Sequence, residues 1–188
     1  MKKLLLSVIM ALVSISSFAE VDSGWRMGAR VNVGASNVLG EGNKFSLSYG
    51  AGWVVEHNFS SHFYLQSGVG VDMLSHKEDY VEGNINSLYL DLPINVGYRA
   101  IMGNSSSFFL QAGPTLACGV WGSDIQYARY SVNYFDLMKR FDLGLGGRIG
   151  CEFNNFQISL GATYGVIPVS SGYNNFNANF GLAYLFNL

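Results

Sequence analysis

An eight-stranded, antiparallel, up-and-down transmembrane β-barrel is the all-β fold this sequence predicts, on three observations. Apolar residues recur at every second position in eight segments. The positions between them hold glycines and nearly every strand charge. Short and long connections alternate from one segment to the next. Composition fits. The 188-residue chain is 49% hydrophobic, 14% aromatic and 13% charged, with a formal net charge of −2 and a mean hydropathy of +0.20. Low charge beside many aromatics excludes intrinsic disorder, and the near-neutral balance excludes a nucleic-acid binder built on a basic surface. Two cysteines are too few for a disulfide scaffold or a structural zinc site. Neither a cofactor nor a metal is expected.

Residues 1–19 read as a secretory signal peptide: Lys2 and Lys3, an apolar stretch from Leu4 to Val13, and a small-x-small end at Ser17-Phe18-Ala19. Residues 20–188 are then the barrel. No apolar run beyond Glu20 approaches the ~20 residues of a membrane helix.

The eight segments are expected at 24–36, 44–57, 62–75, 86–100, 107–121, 139–153, 156–167 and 174–187. In the first, Trp25, Met27, Ala29, Val31 and Val33 share a face; in the second, Phe45, Leu47, Tyr49, Ala51, Trp53 and Val55 do. The third has Phe63, Leu65, Val69, Val71 and Met73, interrupted by Ser67. The fourth runs from Leu88 to Tyr98 on even numbers, and the fifth shows Phe108, Leu110, Ala112, Leu116, Cys118 and Val120. Phe141, Leu143, Leu145, Ile149, Cys151 and Phe153 mark the sixth. Phe156 to Val166 and Phe176 to Phe186, again on even numbers, complete the set. Short links such as Asn154–Asn155 follow the second, fourth and sixth segments. Long ones, His76–Ile85 and Gly122–Met138 among them, follow odd segments, which puts both termini at the periplasmic end.

Alternation alone also suits a secreted cup with an apolar core. The other phase decides against it. Glycines such as Gly50, Gly52, Gly68, Gly70, Gly144 and Gly146 have no purpose on a wetted outer face, where they weaken strands. The narrow interior of an eight-stranded barrel does need small residues. Large side chains of the apolar phase therefore face outer-membrane lipid, the first expected partner. Aromatics gather near the short-turn ends (Trp25, Trp53, Phe63, Tyr98, Phe108, Phe153, Phe156, Tyr184, Phe186) and near the opposite ends (Phe45, Phe141, Tyr164, Phe176), as girdles do.

The inward charges are Arg26, Arg30, Arg99 and Arg148 against Glu56, Asp72, Asp91, Asp142 and Glu152. Most of them are expected to pair, since unpaired buried charge is expensive. With Tyr64 and Tyr89 taking up volume, they make a filled polar plug in place of an open pore. Pro93 and Pro114 lie within strands, so each should mark a bulge or irregularity, and at similar heights on neighbouring strands they point to a local gap in the ladder. Cys118 and Cys151 fall far apart in register and act as apolar fillers.

Among the loops, 122–138 is the candidate contact surface, with Trp121 at its base and Tyr127, Arg129, Tyr130, Tyr134 and Phe135 along it. A locally folded β-hairpin with mutually packed aromatics is the equal alternative. No catalytic residue is expected. Ser75, His76, Glu78 and Asp79 are the only nucleophile–base–acid grouping, and a solvated loop accounts for them. Gly144 to Gly150 lacks the lysine and helix of a phosphate loop.

The segment Leu88-Tyr-Leu-Asp-Leu-Pro-Ile-Asn-Val-Gly-Tyr98 resembles the Y-L-(E/D)-(I/L)-P strand of the PorT-like outer-membrane β-barrel domain. Gln111-Ala-Gly-Pro-Thr115 resembles its A-G-P strand, and Phe141-Asp-Leu-Gly-Leu-Gly-Gly its D-x-G-x-x-x-G strand. Asn179-Phe-Gly-Leu-Ala-Tyr-Leu-Phe186 resembles the closing signal read by the barrel-assembly machinery, and the chain runs past it by Asn187 and Leu188. The resemblance implies a Gram-negative outer-membrane barrel of the OmpA and OmpX size class, with no shared catalytic residues. Some members serve secretion or gliding machinery, so an envelope protein is a second expected partner. The expected role is structural or interactive. A small passive, porin-like channel and a lipid-modifying enzyme are the alternatives.

Overall fold

An extended backbone puts every second side chain on one face, so the alternating sequence gives each strand one apolar side, and eight such strands close on themselves. The computed structural model describes residues 24–40, 42–78, 81, 83–102, 106–127, 130–170 and 172–188. The strands are β1 (Trp25–Leu39), β2 (Asn43–Asn58), β3 (Phe63–Glu78), β4 (Ile85–Ile101), β5 (Ser106–Gly122), β8 (Phe141–Phe153), β9 (Phe156–Gly165) and β10 (Asn174–Asn187). Each pairs antiparallel with its neighbour, and β1 pairs with β10 to close the ring. Between β5 and β8 the chain forms a separate hairpin, β6 (Asp124–Tyr127) with β7 (Tyr130–Asn133), and one helical turn, α1 (Tyr134–Leu137). Among the described residues no helix is long and apolar enough to cross a membrane. The expected leader, 1–19, lies outside the described residues.

Every barrel-strand bound falls within three residues of expectation. β8 starts at Phe141 because the preceding residues are engaged elsewhere: the Met138 amide donates to Tyr134 O at 3.0 Å and the Lys139 amide to Val169 O at 2.8 Å. The β1–β2 connection is short, residues 40–42, because the upper ends of both strands keep pairing. At the other end the Leu188 amide donates to Trp25 O at 2.9 Å, so both ends of the described chain lie with the short turns.

The outer surface is apolar. Val31, Leu47, Val69, Leu90, Leu110, Leu145, Leu160 and Leu182 are all exposed. Rings meet across strands in both girdles, as Phe156 with Tyr184 (centroids 4.8 Å apart) and Phe63 with Tyr98 (5.3 Å) do at the short-turn end, and Phe45 with Phe176 (5.9 Å) opposite. Cys118 pairs in register with Phe141 and Cys151 with Phe108; both thiols are free.

The prolines interrupt the ladder without shifting it. Pairing of β4 with β5 lapses between Pro93–Thr115 and Val96–Ala112, and pairing with β3 lapses between Ser67–Ile94 and Gly70–Asp91. A missing N–H removes a ladder bond but inserts no residue. The register shifts lie elsewhere, between Phe45 and Tyr49 and between Leu88 and Tyr89, near the long-loop end.

Candidate functional site

The inward phase builds three layers along the barrel axis. The lowest is a quartet of charges. Arg26 and Glu56 are cross-strand partners on β1 and β2, and Arg99 and Glu152 enter from β4 and β8. Arg26 donates Nη2 to Glu56 Oε1 and Nη1 to Glu152 Oε1, both at 2.6 Å. Arg99 donates Nη2 to the same two carboxylates at 2.8 and 3.3 Å. Amides take up the remaining lone pairs: Gln66 donates to Glu56 at 3.2 Å and Gln157 to Glu152 at 2.7 Å. Tyr64 lies under the Arg99 guanidinium, 4.6 Å from ring centroid to Cζ, and donates to Gln111 at 3.0 Å. Two cations shared by two anions satisfy each other where water is scarce. Beside them Val54, Phe109, Ala183 and Leu185 are buried on the inward side, apolar packing that the charge-based reading did not foresee.

Above the quartet lies a cavity of about 90 Å³. Arg30, Asp72, Asp91 and Arg148 line it, beside Asn32, Asn177 and Asn179. Here the expected pairing fails. Asp72 accepts from Asn32 Nδ2 at 3.0 Å, but Arg30 Nε, Arg148 Nε and Asp91 Oδ1 have no hydrogen-bond partner. The glycines Gly144, Gly146 and Gly147 line the same space and leave it unfilled. Asp142 stands higher, accepting from Asn175 Nδ2 at 2.7 Å.

The long-loop mouth is stoppered. Tyr134 and Phe135 of α1 turn into the barrel and pack with Ile85, Tyr89 and Ile125. Gly119 and Gly122 make room, since a Cβ on either meets the Phe135 ring. Asn133 caps α1 by accepting from the Phe135 amide at 3.1 Å, while its Nδ2 donates to Gly122 O at 2.9 Å. Arg140 covers the outer face of Phe135, 4.7 Å from Cζ to ring centroid.

The loop surface read from the sequence is thereby divided. Trp121 is exposed, Tyr134 and Phe135 are buried in the mouth, and Arg129 lies outside the described residues. For Tyr127 and Tyr130 only the backbone, at the end of the hairpin, is described. The β6–β7 hairpin and the packed rings of Tyr134 and Phe135 match the hairpin alternative. His76, expected on a loop, is buried with its ring 5.9 Å from that of Tyr134. The Ser75 hydroxyl donates to Asn86 Oδ1 at 2.6 Å and makes no bond to His76. Asp79 lies outside the described residues.

A sequence model of the outer membrane protein beta-barrel domain matches residues 16–171. The chain belongs to that family. It is an outer-membrane β-barrel protein, and the apolar coat, the girdles and the closed ring are the physical form of that membership. Solved structures show the same fold at low identity. Neisserial surface protein A from Neisseria shares 11% identity at a TM-score of 0.55, over 87% of this chain and 98% of its own. Ail, the attachment invasion locus protein of Yersinia pestis, shares 15% at 0.51, over 88% and 100%. OprG from Pseudomonas aeruginosa shares 11% at 0.51, over 88% and 97%. No curated protein sequence matches the chain.

Proposed function

We propose that this outer-membrane barrel is sealed, conducts no solute, and serves the envelope through its extracellular face as a structural or interaction module. The observation that carries the reading is closure in series. A charge quartet joined by four ion pairs lies at one end, and a glycine-seated aromatic stopper at the other. Reconstituted in planar bilayers, the protein is expected to stay silent. Steady ohmic steps would make it a small passive channel instead.

The contact surface on this reading is Trp121 with the β6–β7 hairpin: Tyr127 and Tyr130, which end and begin its strands, and Arg129 between them in sequence. Tyr134 and Phe135 serve the stopper. Its partner is another envelope protein, and proximity labelling from the hairpin followed by deletion of 124–133 identifies what is lost. The role is non-catalytic, supported by Ser75 bonding Asn86 and not His76. The motifs Tyr89–Pro93 and Gln111–Thr115 support a place among the PorT-like members. Residues 1–19 support export with cleavage, for which N-terminal sequencing of the mature protein should begin at Glu20. Outward Phe180, Leu182, Tyr184 and Phe186 on β10 support delivery by the barrel-assembly machinery.

A further inference from the structure

Opposite charges lining one narrow space are expected to close on each other, because an unpaired buried charge is costly. At the floor of this barrel they do so. In the chamber above they stand apart: among the described residues no salt bridge joins Arg30 or Arg148 to Asp72 or Asp91. Both arginine Nε atoms and Asp91 Oδ1 remain without partners, and so does the Oδ1 of Asp142 on the long-loop side of the same cavity, although Asp91 is only 9% and Asp142 6% exposed. The cavity between them, about 90 Å³, holds several water molecules or one solute of a few heavy atoms. Asn32 donates to Asp72 at 3.0 Å and steadies that carboxylate on the chamber wall.

We propose that this chamber is a binding site for a small zwitterion of the α-amino-acid type. Its carboxylate accepts from Arg30 and Arg148, and its ammonium donates to Asp72 and Asp91. The donor set selects this class. A simple anion leaves Asp72 and Asp91 uncompensated, and a simple cation leaves the two guanidinium groups so; a zwitterion answers both with charge-assisted bonds, while the third carboxylate, Asp142, is held by Asn175 nearer the mouth. The route in is from the long-loop side, past Tyr134 and Phe135, because the opposite end is closed by the paired quartet. The site rests on the quartet closing one end and on the stopper at the other end opening to admit the ligand; a cup blind at the quartet still conducts nothing, so bilayer conductance judges the sealed-barrel reading and glycine binding judges the site.

The test uses the full chain folded in detergent micelles, with binding followed by saturation-transfer NMR. Glycine, acetate and methylammonium are the probes, on the parent chain and on Phe135→Ala, which loosens the stopper. Glycine is expected to bind one or both forms, with acetate and methylammonium each at least about tenfold weaker. Asp91→Asn and Arg148→Gln should each weaken glycine about tenfold while still migrating as folded barrels in unheated gels. If those two variants misfold, Asn32→Ala serves in their place, with an expected weakening of about threefold. Acetate or methylammonium binding as well as glycine overturns the proposal. So does glycine binding unchanged by the substitutions, and so does no glycine binding to either form, which leaves a chamber holding water alone.

Discussion

Glu56 is the most consequential single side chain of the interior. Fully buried, it accepts from Arg26, Arg99 and Gln66, three groups drawn from three strands. Glu56→Gln keeps the shape but removes the charge that two guanidinium groups share. The variant is expected to lose about 3 kcal/mol of stability, as when one partner of a buried pair is deleted. Urea titration in detergent, following the shift from folded to unfolded gel migration, measures this, and a loss within experimental scatter would refute the shared-anion reading. The inward phase of Arg26, Glu56, Arg99 and Glu152 was legible in the sequence because phase needs only parity. That these four meet while Arg30, Asp72, Asp91 and Arg148 stay apart was not legible. Meeting depends on how far each side chain reaches across the lumen, a distance set by strands that are not sequence neighbours.

At the scale of the element, Ser67 explains itself. It interrupts an apolar face, and its hydroxyl donates to Pro93 O at 2.9 Å where the β3–β4 ladder lapses. A carbonyl left bare beside lipid is costly, so the serine supplies the donor that the gap in the ladder withholds. Ser67→Ala should destabilise the barrel by about 1 kcal/mol. Pro93→Ala, by restoring a backbone donor, should make the second substitution cheaper, and a double-mutant cycle reads the coupling; strict additivity of the two would dissolve the link. The prolines announced a bulge or a local gap in the sequence, and the structure shows the gap, with the register unchanged across it. The loop after β5 was legible only in part. A run holding Tyr127, Tyr130, Tyr134 and Phe135 reads alike whether its rings face a partner or the barrel mouth. What decides is the pair Gly119 and Gly122 on β5, whose missing Cβ atoms admit Phe135. Glycine in a strand signals close approach without naming what approaches.

The whole molecule is legible in the sequence because solvent inverts its polarity uniformly, so eight independent segments report one decision. The tryptophans test where that surface sits. Trp25 and Trp53 lie in the girdle of the short-turn end and Trp121 near the other, all exposed at 44% or more. Amphipathic rings favour headgroup depth. Lipids brominated near the headgroup should therefore quench the intrinsic fluorescence more than lipids brominated deep in the chain, and the reverse order would displace the membrane from this belt. The seam between β1 and β10 has a consequence of its own. First and last strands in the chain are neighbours in the ring, in continuous register from Arg26–Asn187 to Leu39–Asn174. A barrel made this way has no smaller version of itself: dropping either outermost strand bares two rows of amides to hydrocarbon, where nothing answers them.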